Sequence, residues 1–169
     1  MIAPDGILIR PFVPADRQGV IGVILPIQRE EFGIAITAED QPDLDAIPAF
    51  YQSGKGAFLV AEDRGRIVGT IGMKDIGSDE GALRKMFVAA AHRGAASGTG
   101  LAARLLEALL ELAGARGIRR VYLGTTDKFV AAHRFYEKHE FSPCPPETLP
   151  TAFPRMAVDT RFYRRDLEG

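Results

Sequence analysis

A loop of small residues, followed directly by an apolar helical pattern, is the part of this sequence best suited to chemistry. Residues 93–102 read RGAASGTGLA. Small residues let an anion approach the backbone closely, and the first N–H groups of a helix lack internal partners and carry roughly half a positive charge. The pattern therefore predicts a phosphate-binding site at the start of a helix.

Two common phosphate-binding motifs do not account for this loop. A Walker loop needs Lys and then Ser or Thr directly after its last glycine, whereas Gly100 is followed by Leu101. Residues 98–103 match the G-x-G-x-x-A form of a dinucleotide fingerprint. In that fold, however, the strand ends at the first glycine, and here it is predicted to end at Val88, ten residues before Gly98. The Walker interpretation fails, and the dinucleotide interpretation is disfavoured.

A second candidate for chemistry lies on a predicted helix near the end of the chain. Residues 132–141 read AHRFYEKHEF. A phenol with an unperturbed pKa near about 10 stays protonated at neutral pH and can donate a proton to a leaving group. Tyr136 is therefore a candidate general acid, and the alternative is an aromatic residue that packs on one helix face.

Strand and helix patterns predict one mixed α/β unit that holds these residues. Leucines at helical spacing follow Gly100 and predict an amphipathic helix that Gly117 closes. Because this helix separates them, the strand that ends at Val88 and the next strand are predicted to be parallel. The predicted strands are Ile7–Phe12, 57–62, 66–75, 82–88, 121–123 and Met156–Tyr163. The second to fourth of these are predicted to form an antiparallel meander. Helices interrupted by proline are predicted at 14–32 and 39–52.

Composition and charge limit the function classes. The 169 residues, 46% hydrophobic and 25% charged, suit a single domain, 1–169, with its core at about 7–165. A formal net charge of −1 gives no general attraction to nucleic acid or to an anionic membrane. Without a membrane span or a leader pattern, we expect a soluble, cytoplasmic protein. One cysteine, Cys144, and three scattered histidines predict neither a disulfide nor a metal site.

The meander, the loop and the leucine-rich helix together resemble the GNAT family of N-acetyltransferases over almost the whole chain. Residues 132–141 resemble the family segment A-x-x-x-Y-E-K-x-G-F, with Glu140 in place of the glycine, which predicts a differently shaped helix end. The family's pyrophosphate loop, R/Q-x-x-G-x-G/A, aligns in two registers, with either Ser97 or Ala95 at its first position. The resemblance implies a GNAT-like acyl-CoA N-acyltransferase fold, in which an antiparallel meander precedes a parallel β-α-β crossover.

The resemblance also implies an activity, the direct transfer of an acetyl group from acetyl-CoA to a primary amine of a small molecule or peptide within a ternary complex. Tyr136 takes the position of the acid that protonates the departing thiolate. A backbone N–H at the end of the central strand would polarise the thioester carbonyl. The implied cofactor-binding residues are Phe87, Val88, Arg93, Gly94, Ser97, Gly98, Thr99, Gly100, Leu101 and Ala102.

The base that deprotonates the amine is less well determined. Many relatives carry Glu on the central strand where this chain has Ala82, and Glu80 would project to the same face if the strand extends that far. Asp75 and Asp159 are further candidates, and deprotonation through water is an equal alternative. The loss at Ala82 also leaves open a non-catalytic module of the same fold that binds CoA or another protein. The resemblance is compatible with a homodimer, and it leaves the acceptor undetermined.

Overall fold

The computed structural model describes residues 6–93, 100–127 and 130–167, and these form a sheet of seven strands. The strands are β1 (Ile7–Pro11), β2 (Ala57–Asp63), β3 (Arg66–Gly77), β4 (Glu80–Val88), β5 (Arg120–Thr125), β6 (Ser142–Pro143) and β7 (Arg161–Asp166). Their order in the sheet is β1-β2-β3-β4-β5-β7-β6, and only β4 and β5 are parallel. The predicted meander and the parallel crossover are confirmed.

Helices cover both faces of the sheet. Within the described residues the α-helices are α1 (Arg17–Pro26), α2 (Ile47–Phe50), α3 (Leu101–Ala115) and α4 (Val130–Lys138). A π-helical segment, Ile27–Glu31, continues α1, and a 3-10 turn, Pro42–Asp45, precedes α2. None of these helices is long and apolar enough to cross a membrane.

Each face of the sheet has its own core. On the α3 face, four leucines of α3 are buried against strand residues such as Ile71 and Leu123; they are Leu101, Leu105, Leu106 and Leu109. On the α1 face, Val20 and Ile24 of α1 pack with Tyr51 and other apolar residues. The leucine spacing that predicted α3 therefore marks the helix side that faces the sheet.

The two parallel strands pair only over their first four residues. Their register joins Glu80–Leu83 to Arg120–Leu123 and ends there. Beyond that point β4 continues along β3 as far as Val88, whereas β5 continues along β7 as far as Thr125. The strands therefore diverge and open a wedge in the middle of the sheet.

A bulge in β4 lies where the wedge opens. The register between β3 and β4 shifts here, and Lys85 adopts a φ of 56°. This conformation is unfavourable for a residue other than glycine, and bulges re-aim side chains. As a result, Arg84 and Lys85 both contact residues of the α1 face, while Leu83 and Met86 on either side contact the α3-face core.

Two predicted elements differ from the structure. The final strand begins at Arg161 instead of Met156, because residues 156–159 form a turn in which Asp159 N–H donates to Met156 O at 3.0 Å. The Asp159 carboxylate also accepts a hydrogen bond from Met156 N–H at 2.9 Å and stabilises this turn. The region 39–52 contains two short helical turns and no continuous helix.

The end of α4 keeps the shape that a glycine would favour. Glu140 has a φ of 70°, and Phe141 N–H donates to Tyr136 O at 3.0 Å across the helix end. This pattern of bonds requires a left-handed residue after the helix. The expectation of a differently shaped helix end is therefore wrong, and Glu140 adopts the unfavourable conformation instead.

Candidate active site

The wedge between β4 and β5 opens into a cavity of about 450 Å³. Its walls include Leu83–Val88 of β4, the end of β5 and the first turns of α4. Residues of the segments 27–36 and 153–159 line its other side. One continuous cavity therefore reaches both faces of the sheet.

The predicted phosphate loop is described only at its two ends. Gly94, Ser97, Gly98 and Thr99 lie outside the described residues. Gly100 precedes α3 with a φ of 56°, and no described side chain caps the first turn. The N–H groups of Leu101 and Ala102 thus lie at the positively polarised end of a 15-residue helix, and Ala102 lines the cavity.

Arg93 lines the same part of the cavity. Its Nη2 donates to Glu31 Oε1, while its Nε atom is buried and has no hydrogen-bond partner among the described residues. A buried donor without a partner costs about 1–3 kcal/mol, which an anion in the cavity would offset. Together with the uncapped start of α3, this orphaned donor fits a pyrophosphate group.

The edge of β4 offers backbone groups to an extended ligand. Ala89 N–H donates to Val68 O at 2.8 Å, and Val88 pairs with Gly69. Because antiparallel pairs alternate between hydrogen-bonded and non-hydrogen-bonded positions, the N–H and C=O of Val88 point away from β3 and toward the wedge. No described strand pairs with this edge beyond Leu83. Phe87, the neighbouring predicted residue, also lines the cavity.

Tyr136 lies on α4, and its side chain reaches the cavity from the α3 face. The residue is 7% exposed, and its hydroxyl donates to Met86 Sδ at 3.6 Å. Burial raises the pKa of Tyr136, so the phenol is protonated at neutral pH. Since a thioether is a weak acceptor, the hydroxyl can turn to a stronger acceptor in the cavity at little cost.

His133 fixes the start of the helix that carries Tyr136. Its Nε2 lies 2.8 Å from Thr126 O, and its Nδ1 lies 3.2 Å from Arg161 Nη1. A guanidinium only donates, so Nδ1 accepts and Nε2 donates to the carbonyl. These bonds tie α4 to the ends of β5 and β7. The sequence analysis assigned no role to His133, although its spacing from Tyr136 puts both on one side of the helix.

A polar group around Lys85 forms the wall on the α1 face. The Lys85 side chain is 2% exposed, its Nζ donates to Gln41 Oε1, and Asp43 Oδ2 lies 3.8 Å away. The side-chain amides of Gln41 and Gln28 donate to each other at 3.0 Å, and Asp43 accepts from the Tyr51 hydroxyl. Burial lowers the pKa of Lys85 to about 8, so its amine is mostly protonated at neutral pH.

Asp159 also lies in this wall. It lines the cavity over Gly124 of β5, where an added Cβ would come 2.7 Å from Asp159 Oδ2. Burial raises the pKa of this carboxyl. Asp159 is therefore the only one of the three carboxyls considered as bases that borders the cavity.

The structure does not bring Glu80 together with Tyr136. Glu80 does project to the same face as Ala82, and its Oε2 lies 3.4 Å from the Tyr122 hydroxyl and 3.9 Å from Arg120 Nη1. It lies at the closed end of the wedge, however, where β4 still pairs with β5. Asp75 accepts bonds from two backbone N–H groups, which lower its pKa, and it does not line the cavity.

Sequence reasoning did not single out Lys85 and Gln41. The available signal was a pair of adjacent cations, Arg84 and Lys85, inside the predicted strand 82–88. Strict alternation would place one of the two in an apolar core, so a bulge or a polar cavity had to accompany them.

The fold and the cavity fit the class of acyltransferases that use an acyl-CoA. Residues 23–141 match the model of the Acetyltransferase (GNAT) family, and the chain belongs to this family.

Known proteins resemble the chain to different extents. The structure of an acetyltransferase of the GNAT family from Staphylococcus aureus Mu50 is 36% identical, with a TM-score of 0.91 over 96% of this chain and 99% of that one. The probable N-acetyltransferase camello of Xenopus tropicalis is 31% identical over 72% of this chain, but the match spans only 55% of the frog protein. N-acetylglutamate synthase from Neisseria gonorrhoeae, complexed with coenzyme A and N-acetyl-glutamate, shares the fold at 18% identity with a TM-score of 0.75, over 96% of this chain and 35% of that one.

Proposed function

We propose that this protein transfers an acetyl group from acetyl-CoA to a primary amine of a small molecule or peptide, directly and within a ternary complex. The continuous cavity carries this proposal, because it is bordered by the anion-binding features near α3, by Tyr136 and by the polar wall around Lys85. Both substrates can occupy one space. Cys144, the only cysteine of the chain, does not line the cavity and offers no route through an acyl-enzyme.

Acetyl-CoA is the proposed cosubstrate. Its pyrophosphate would bind Arg93 and the N–H groups at the start of α3, together with Gly94, Ser97, Gly98 and Thr99 of the same loop. Its pantetheine arm would lie along β4, where the backbone of Val88 faces the wedge. The CoA complex of N-acetylglutamate synthase supports a CoA ester as the ligand of this fold.

The reaction requires the amine lone pair to attack the thioester carbonyl carbon and the C–S bond to break. An ammonium acceptor loses two protons overall. The first goes to solvent before the attack, and the second replaces the proton that is delivered to sulfur. We assign that delivery to Tyr136. Its hydroxyl proton goes to the departing thiolate, and the phenol regains a proton from the nitrogen of the intermediate. Because the thiolate forms in a site with little water, a hydrogen bond from the phenol gains strength as charge develops on sulfur.

A non-catalytic CoA-binding module is the alternative that the sequence left open. Such a module needs no protonated phenol inside the cavity and no polar wall beside it. The structure has both, at Tyr136 and at Lys85, and they favour catalysis.

Steady-state kinetics test the proposed function. Thiol release from acetyl-CoA is followed with a panel of amines that includes amino acids, polyamines and a short peptide. We expect release to depend on one class of amine, with initial-velocity lines that intersect when both substrates are varied. Parallel lines would indicate an acyl-enzyme and contradict direct transfer, and an absence of release with every amine would contradict the activity.

A further inference from the structure

The bulge in β4 places two consecutive cations at the same end of the cavity. Arg84 and Lys85 both line it and both lie on the α1 side. An ordinary strand would direct the second of them toward the core around Leu105 and Leu106. The left-handed backbone of Lys85 is unfavourable, and such conformations concentrate where a ligand is held.

Lys85 is a buried cation that its neighbours satisfy only in part. An ammonium has three N–H donors, and the acceptors around it among the described residues are Gln41 Oε1 and Met156 Sδ, the latter at 3.6 Å. A thioether is a weak acceptor. The nearest carboxylate, Asp43, lies beyond hydrogen-bond distance at 3.8 Å and already accepts from the Tyr51 hydroxyl. Lys85 can therefore still bind an anionic group in the cavity.

Arg84 adds a second positive charge to this wall. Its guanidinium lies 5.3 Å from the centroid of the Phe50 ring, and no ion pair joins it to a carboxylate within the part of the chain that the structure describes. A guanidinium with an open donor edge matches the two oxygens of a carboxylate. The two side chains together make this end of the cavity attractive to an acid.

Asp159 provides a negative charge in the same space. Arg84, Lys85 and Asp159 all line the cavity, and the charges of the two cations lower the pKa of the Asp159 carboxyl against the effect of burial. Apolar residues also line this side, namely Phe32, Ile34, Ile36, Phe153 and Val158. The wall thus presents cations, one carboxylate and an apolar surface.

We propose that the acceptor is a free amino acid with an apolar side chain, whose carboxylate binds Arg84 and Lys85 and whose amine binds Asp159. The inference rests on the proposed function and names its substrate class. Asp159 takes the first proton from the ammonium, so that the lone pair is available for the thioester carbon. That proton then passes to solvent, and the second proton follows the route through Tyr136. The apolar residues of segments 32–36 and 153–158 hold the side chain.

Matched amines separate the contribution of the carboxylate from that of the side chain. The probes are L-phenylalanine, L-leucine and L-methionine, each compared with its decarboxylated amine and its carboxamide, which keeps the shape and removes the charge. Acetyl-CoA is held constant and thiol release gives kcat/KM. We expect kcat/KM for each amino acid to exceed that of both uncharged partners at least about 100-fold, as two charge-assisted contacts would provide.

Variants assign that preference to the two cations. Arg84→Met and Lys85→Met are each expected to raise the KM for L-phenylalanine about 10-fold or more and to lower the ratio of kcat/KM between L-phenylalanine and phenethylamine by at least that factor. Lys74→Met is the matched control, because Lys74 lies 4.5 Å from the Phe50 ring centroid but does not line the cavity. Because Lys85 is buried, its replacement is expected to change the free energy of unfolding, so acetyl-CoA binding by that variant serves as the folding check. Arg84 is only partly buried and gives an independent test.

Each outcome decides the inference. Equal or faster use of the decarboxylated amines or the carboxamides overturns it, as does a preference that survives both substitutions. Acetyl-CoA binding without use of any of these amino acids also overturns it, and leaves the proposed function intact. If the wild type does not bind acetyl-CoA at all, the proposed function itself fails.

Discussion

The two walls of the cavity are made of different parts of the chain. The wall that we propose for the cosubstrate, the cosubstrate wall, consists largely of backbone groups and small residues, at Val88, Gly100 and the start of α3. The opposite wall, which we propose for the acceptor and call the acceptor wall, consists of charged and amide side chains, such as Lys85, Gln41 and Asp159. Backbone N–H groups bind a phosphate or an amide arm whatever the neighbouring side chains are, whereas an acceptor is selected by particular side chains. The cosubstrate wall therefore suits a ligand shared by a family, and the acceptor wall suits a ligand specific to this protein.

Tyr136→Phe is expected to give the largest effect, because it removes the proposed proton donor and leaves both walls in place. We expect kcat to fall about 100-fold or more, which is typical for loss of a general acid. The dissociation constant for acetyl-CoA should stay within about twofold of the wild type. Rapid thiol-release assays and calorimetry check the two quantities, and an unchanged kcat would remove Tyr136 from the mechanism.

The buried positive charge of Lys85 in the acceptor wall lowers the free energy of unfolding, and this effect depends on pH. Burial lowers the pKa of Lys85 to about 8 in the folded state, below its value near 10.4 in the unfolded chain. At pH values between these two pKa values, Lys85 is protonated in the unfolded chain and mostly deprotonated in the folded protein. The free energy of unfolding therefore rises with pH over this range, and the gain is lost as pH falls through about 8. Urea unfolding at pH 7.5 and 9.5 should show the wild type gaining on the order of 2 kcal/mol relative to Lys85→Met.

That experiment compares two proteins at each pH, so other titrating groups cancel to first order. Asp43, Arg84 and Asp159 are the charged groups that act on Lys85, and they are the same in both proteins. A difference that does not change with pH would show that Lys85 titrates as an exposed lysine does.

Gly124→Ala is expected to disturb the acceptor wall alone. An added Cβ would lie 2.7 Å from Asp159 Oδ2 and displace the carboxylate from its place over β5. We expect the acceptor KM to rise about 10-fold, roughly the 1.4 kcal/mol of one weakened charged contact, with acetyl-CoA affinity unchanged. Gly114→Ala is the matched control, since nothing lies within 4 Å of its added Cβ. Equal effects on both substrates would mean that the two walls are not independent.

Glu80→Gln is expected to have the smallest effect. Glu80 lies at the closed end of the wedge beside Arg120 and Tyr122, where an amide can replace its carboxylate. We expect kcat/KM to change less than about threefold, as for a surface substitution away from the site. A loss of 100-fold in kcat/KM with a shifted pH profile would instead support Glu80 as the base.

The sequence predicts α3 and the meander for a physical reason, whereas cosubstrate binding at the start of α3 stays a prediction. A leucine stripe marks the face of α3, and a run of small residues before it predicts an accessible backbone. Both signals are local. The meander follows from short strands joined by polar turns, and its antiparallel pairing is confirmed.

The acceptor wall depends on contacts that local patterns do not contain. The direction of Lys85 follows from a register shift against β3, and the position of Asp159 follows from a turn where alternation predicted a strand. Gln41 reaches Lys85 from a segment 44 positions away in the sequence. Such residues are found only when the register and the loops are known.

The central claim is that this cavity binds the cosubstrate at the start of α3. Calorimetry with acetyl-CoA tests it most directly. The wild type is compared with an Arg93→Ala, Gly100→Glu double variant, which removes the orphaned donor and places a negative side chain before the helix. Arg64→Ala is the control, because Arg64 lies in the turn between β2 and β3 and its side chain is 87% exposed. The account predicts micromolar binding by the wild type and the control, and binding weakened at least about 100-fold in the double variant. Undetectable binding by the wild type, or equal binding by the double variant, would contradict it.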